Sequence, residues 1–233
     1  MSFSIDDLRE HSNLPGPRAN LELLYKFIEF ASVEEVEACL QVKSSNLQNT
    51  PDEFVLACGV AAGIYMSMDK SHLFSFDFIP YANHESWRVR ESVCIGFQKS
   101  IYNVASEKIT RALEPLRSGT ALELRTYIAT VAEPALLNGY MDTNLILDDL
   151  YNITLSNFKH DLKLSESEKV LRKALGYCWS VVLCGKDANR GMFEQLMLEK
   201  KNKHISWIIN ENLKKNRLMK LDPVWVEQLK LQL

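Results

Sequence analysis

Val89-Arg90-Glu91-Ser92-Val93-Cys94 is the first of four related phrases along the chain. Leu124-Arg125-Thr126-Tyr127-Ile128-Ala129 and Leu171-Arg172-Lys173-Ala174-Leu175-Gly176 repeat it, and Ile209-Asn210-Glu211-Asn212-Leu213-Lys214 is a worn copy. In each, two large apolar residues stand four apart and so share one face of a helix. An Arg or Asn follows the first of them. Three copies then place a small residue, Cys94, Ala129 or Gly176, where a neighbouring helix could come close. The Arg/Asn positions recur at spacings of 35, 47 and 38 residues.

Periods of this length, built only from helical pattern, are the signature of a HEAT-type repeat. The expected fold is therefore all-α, an α-solenoid of about six antiparallel helix pairs and about twelve helices in a single domain over 1–233. Residues 1–19, with Pro15-Gly16-Pro17, read as an irregular lead-in. Asn20 then caps a first helix, Ser32 and Glu35 form a capping box for a second, and Thr50-Pro51 with Glu53 opens a third. Helices near 51–68 and 71–82, joined at Asp69-Lys70, make the next pair. Further pairs are 86–101 with 104–117, 119–137 with 142–158 and 166–184 with 187–201. Residues 204–218 close against a capping helix within 219–233. No segment shows the bounded period-2 alternation of a strand. Stacked pairs of this kind bury their apolar stripes against one another and leave a concave surface for ligands.

The apolar runs Phe54–Met66 and Tyr177–Cys184 are shorter than the ~20 residues that span a bilayer, so a soluble cytoplasmic protein without membrane contact is expected. Five cysteines in apolar helical contexts, Cys39, Cys58, Cys94, Cys178 and Cys184, read as reduced core residues rather than disulfides or zinc ligands. The histidines are scattered, no metal-binding or phosphate-loop motif occurs, and neither a metal nor a cofactor is expected. Net charge is −3. The distribution is uneven: ten acidic residues face four basic ones over residues 1–68, whereas seven basic face two acidic between 199 and 220. That basic end, with Lys214, Lys215 and Arg217, can hold phosphates or simply form a solvated helix face. Arg90, Arg125 and Arg172 invite two readings as well, as anion ligands along a groove or as ties between adjacent repeats. Trp87 and Trp207 both precede an Arg/Asn position by three residues, so at least one is expected to pack.

The phrase Ser86-Trp87-Arg88-Val89-Arg90-Glu91, the run Arg172-Lys173-Ala174-Leu175-Gly176-Tyr177 and the ending Trp207-Ile208-Ile209-Asn210-Glu211-Asn212-Leu213-Lys214-Lys215-Asn216-Arg217-Leu218 resemble the HEAT-like DNA alkylation-repair family over roughly residues 50–230. The resemblance implies a cleft that holds the DNA backbone beside an alkylated nucleotide. In catalytic members two Trp, an acid and an Arg line it and stabilise the cation formed as the glycosidic bond breaks. Carried over, these positions are Trp87, Glu91, Arg125 and Tyr177. Two depart from the pattern, Glu91 for Asp and Tyr177 for Trp. A carboxylate displaced by about 1 Å costs orders of magnitude in rate. The implied function is DNA binding, duplex or irregular, through Arg90, Arg125, Arg172 and the C-terminal cations, with glycosylase activity reduced or lost. An active alkylpurine DNA N-glycosylase and a protein-interaction scaffold are the alternatives; the acidic N-terminal part favours the second.

Overall fold

A computed structural model describes residues 2–43, 46–68 and 74–233. Among the described residues the chain forms fifteen α-helices and no strand, so the all-α expectation is met with more, shorter helices. It divides into two compact units, Met1–Ala112 and Leu113–Leu233.

In the first unit α1 (Ile5–Glu10), α2 (Leu21–Phe30) and α3 (Val33–Leu40) pack on α4 (Pro51–Met68), followed by α5 (Ile79–Ala82), α6 (Trp87–Ser100) and α7 (Ser106–Leu113). The start signals act as read. Asn20 accepts from Leu23 N–H at 3.1 Å, and Ser32 and Glu35 complete their reciprocal box. The 1–19 segment is not wholly irregular, however. Ser4 caps Asp7 N–H, Asp6 and Asp7 favour the positive end of the first turn, and a helix too short for periodicity to reveal follows. Leu8 buries itself on the unit and Arg9 pairs with Asp52 at 2.7 Å.

α4 is apolar on nearly every side, as befits a helix enclosed by its neighbours. Its tightest neighbour is α6, where a Cβ on Gly96 would stand 2.7 Å from the Ala61 carbonyl oxygen and 2.9 Å from Ile64 Cβ. Alanine at an open helix position is favoured over glycine, but here the backbone of α4 is in the way. Gly96→Ala should therefore destabilise this unit by about 1–3 kcal/mol, read from urea midpoints.

The expected helix over 71–82 is contracted to Ile79–Ala82; residues 69–73, including the Asp69-Lys70 joint, lie outside the described residues. Two causes are visible. Pro80 sits in the first turn of the short helix, where its missing N–H and its ring stop the helix from running further back. The alternating Phe74, Phe76 and Phe78 also bind separately, Phe76 stacking on Phe74 and Tyr81 and Phe78 meeting Phe97 edge-on.

The second unit contains a 3₁₀ turn (Glu114–Ser118), α8 (Ala121–Val131), α9 (Pro134–Leu137), α10 (Thr143–Phe158), α11 (Glu166–Val182), α12 (Gly191–Met197), α13 (Lys203–Leu213), α14 (Asn216–Leu221) and α15 (Pro223–Lys230). Proline explains two departures. Pro115 turns the end of the 104–117 helix into 3₁₀, and Pro134 splits 119–137 into α8 and α9. The 187–201 helix shortens to Gly191–Met197, and 204–218 breaks at Lys214-Lys215.

The three phrase helices of this unit adjoin one another, with α11 packed on both α8 and α13. α10 covers α11, where Trp179 Nε1 donates to Thr154 Oγ1 at 3.2 Å. The small residue of the phrase performs its expected task at Gly176, onto which the Trp207 ring packs so closely that a Cβ would lie 2.8 Å from it. Asn212 of α13 is fully buried and ties the same two helices. Its Oδ1 accepts from Ser180 N–H at 2.8 Å, and its Nδ2 donates to the Leu175 and Ile208 carbonyls at 2.9 and 2.8 Å.

Candidate functional site

The first unit brings Trp87 and Glu91 to one groove. Ser86 caps α6 by accepting from Arg88 and Val89 N–H, which starts the helix at Trp87 and puts Glu91 one turn on, along the same face. The groove has a volume of 430 Å³ and is lined by Trp87 and Glu91 together with the buried Phe54 and Ala57 and with Leu21, Tyr25 and Arg18. Trp87 is 54% exposed, and the Arg88 guanidinium lies 4.7 Å from its ring centre. Arg88 is itself anchored, donating to the buried Glu53 carboxylate at 2.9 Å and to the Gly16 carbonyl at 3.0 Å. Glu53 also accepts from Ser86 Oγ and from Asn49 N–H. Its carboxylate is thus spent on structure rather than on the expected return bond of a capping box.

Arg90, the phrase residue, is buried and turned inward. Its guanidinium donates to the His84 and Glu85 carbonyls, holding the chain that enters α6. A guanidinium so placed is turned toward backbone carbonyls at the start of α6. Beside it, His84 Nδ1 accepts from Ser86 N–H at 3.0 Å. Burial, against the opposing pull of Glu85 and with the help of Arg90, lowers the His84 pKa from its ordinary 6.5. The unfolded chain therefore takes up this proton at higher pH than the folded one. The stability contribution is complete above about pH 6.5 and falls as pH drops through the folded value. Urea midpoints of the native chain should decline more between pH 7.5 and 5.5 than those of His84→Gln.

In the second unit Arg172 links α11 to α13. Its Nη1 donates to His204 Nδ1 at 2.9 Å, and its guanidinium lies 4.6 Å from the Trp207 ring centre. Because arginine only donates, Nδ1 is the acceptor and Nε2 carries the proton given to the Leu162 carbonyl at 2.8 Å. Arg172 thus makes the tie between adjacent phrase helices that the repeat pattern allowed. Trp207 packs on Gly176, so at least one of the two tryptophans packs as expected, while Trp87 is largely exposed. Arg125 is half-buried on α8.

Tyr177 and Arg217 come together. Tyr177 is 47% exposed on α11, and the Arg217 guanidinium from α14 lies 4.4 Å from its ring centre. They line a pocket of 440 Å³ with Lys186, Asn138, Leu137 and Cys184. Arg125, Lys214 and Lys215 are not among its lining residues. Lys214 pairs with Glu211 at 2.7 Å and Lys215 approaches the same carboxylate at 3.9 Å, which holds the Glu211 pKa below its usual value. Cys184 is exposed rather than a core residue, unlike the other four cysteines. Burial of its thiol nonetheless outweighs Arg217 and Arg190 and raises its pKa, so it stays protonated and a poor nucleophile at neutral pH.

The four positions implied by the glycosylase resemblance therefore fall two in each unit, Trp87 and Glu91 in one, Arg125 and Tyr177 in the other. Lys186 was missed because it lies in a loop between α11 and α12, where periodicity gives no signal. Arg88 and Asn212 were missed by two residues each. Their only sequence mark was a polar side chain beside the phrase position. Among the described residues no cluster of His, Cys, Asp or Glu fits a metal ion, and no helix is long and apolar enough to cross a membrane. Comparison with protein-family models, curated proteins and solved structures finds no match.

Proposed function

We propose that this chain is a HEAT-like helical-repeat module that binds DNA without efficient catalysis. The observation that carries the reading is the Tyr177 pocket, where an exposed aromatic, Arg217 and Lys186 converge and, among the described residues, no carboxylate lines the wall. Cations of this kind bind the DNA backbone by displacing its counterions. The adjoining phrase helices support the repeat character, α8 packing on α11 and α11 tied to α13 by Arg172 and Asn212. The loss of glycosylase chemistry follows from the longer acid at Glu91 and the smaller, Arg-covered ring of Tyr177.

In fluorescence anisotropy with duplex, gapped and branched DNA, affinity should fall steeply between about 50 and 200 mM salt. The double variant Lys186→Ala/Arg217→Ala should weaken binding about tenfold or more and reduce the salt slope by about two phosphate contacts. Salt-independent binding, or none, would refute the proposal. Single-turnover release of 7-methylguanine or 3-methyladenine would refute its non-catalytic half.

A second reading, protein interaction, draws on the first unit. Leu21, Tyr25 and Trp87 are exposed around one apolar-floored groove in the part of the chain richest in acids. Under that reading Trp87→Asp would abolish partner capture and leave DNA affinity unchanged.

A further inference from the structure

We infer that the Tyr177 pocket receives a terminal phosphate of a DNA strand, a phosphomonoester, in preference to the internal phosphodiester of an unbroken backbone. This rests on the DNA-binding reading above and narrows its ligand.

The argument begins with charge. Arg217 and Lys186 both line the pocket, and among the described residues no Asp or Glu does. Among the described residues neither cation forms an ion pair with a carboxylate, although neighbouring cations do, Lys214 with Glu211 and Arg190 with Asp222. Two uncompensated cations in one pocket match a group carrying close to two negative charges. A phosphomonoester carries about −1.5 to −2 at pH 7, whereas a diester carries one charge per phosphate.

Geometry points the same way. Arg217 covers a face of Tyr177 at 4.4 Å, so the ring supports the guanidinium and leaves that face closed to a nucleobase. The walls come from several directions. Pro134 and Leu137 belong to α9, Tyr177 and Val181 to α11, Lys186 to the loop beyond it and Arg217 to α14. The backbone at Lys186 is held against α9, its N–H donating to the Leu137 carbonyl at 3.0 Å. The Asn138 side chain adds a neutral hydrogen-bonding group.

The test uses the full chain and three labelled duplexes that differ only at the centre: intact, nicked with a 5′-phosphate, and nicked with a 5′-hydroxyl. The phosphorylated nick should bind about tenfold or more tightly than the hydroxyl nick, the effect of charge-assisted hydrogen bonds to an added phosphate. Lys186→Ala, at an exposed loop position, should weaken all three duplexes but the phosphorylated nick most, so that the two nicks bind equally. Arg217→Gln should do the same, with its melting temperature checked against the native chain. Equal binding of the two nicks would overturn the inference and leave the DNA-binding reading standing. Failure to bind any of the three would overturn both. Displacement of the phosphorylated nick by AMP as effectively as by unlabelled nicked DNA would overturn the strand-end assignment in favour of a free mononucleotide.

Discussion

Replacing Glu53 by alanine should destabilise the first unit by about 3–5 kcal/mol, a large part of the roughly 5–15 kcal/mol that holds a domain folded. Glu53 is 1% exposed, and its side chain receives Arg88, Ser86 Oγ and Asn49 N–H. Alanine removes the acceptor for all three. Most costly is Arg88, whose side chain is only 11% exposed and would remain charged with the Gly16 carbonyl as its surviving partner. A double-mutant cycle distinguishes this account from simple loss of packing. Glu53→Ala/Arg88→Ala should be markedly less damaging than the sum of the two single variants, because removing both partners leaves no orphaned charge. Additive effects in urea denaturation would show that the pair is not coupled.

The second large effect is expected at Asn212. Asn212→Leu should cost about 3 kcal/mol, although leucine is nearly the same size and better suited to an apolar interior. The carboxamide is fully buried and answers groups on two helices, the Ser180 N–H and Leu175 carbonyl of α11 and the Ile208 carbonyl of its own helix. Leucine can satisfy none of them, and a buried polar group deprived of its partner costs more than the original hydrogen bond contributed. Asn212→Asp tests the mechanism, since it retains the acceptor for Ser180 N–H but loses both donors. Amide hydrogen exchange should show the Ser180 amide losing protection in the leucine variant before α8 does. Unchanged exchange at Ser180 would separate the loss of stability from this bond.

Much of the helical content was legible because it is written locally. Asn20 and Ser32 with Glu35 are caps whose effect depends on residues at most three positions away. The phrase positions also told which face each helix buries. They did not tell which polar residue beside that face would find a partner. Two residues along a helix turn the side chain by about 200°, so Arg88 and Arg90 look in nearly opposite directions. One meets Glu53 from another helix and the other meets the chain just before its own. The same ambiguity separated Asn210, which bonds back to Ser206, from Asn212. Pairing across 35 or 37 positions is a property of tertiary packing, and periodicity carries no trace of it. The candidate pocket was legible in part, because Tyr177 and Arg217 stood in recognisable runs. Lys186 did not, and Cys184 looked internal because it follows the apolar residues Val181, Val182 and Leu183.

Ser86 spends its hydroxyl completely. Its oxygen receives two amides at the beginning of α6 while its single hydrogen goes to Glu53 in the first turn of α4. Two helix openings thirty-three positions apart thereby depend on one proton. Thermal breathing at either opening must release the other, and that corner of the molecule should loosen as a joint event rather than fray one end at a time.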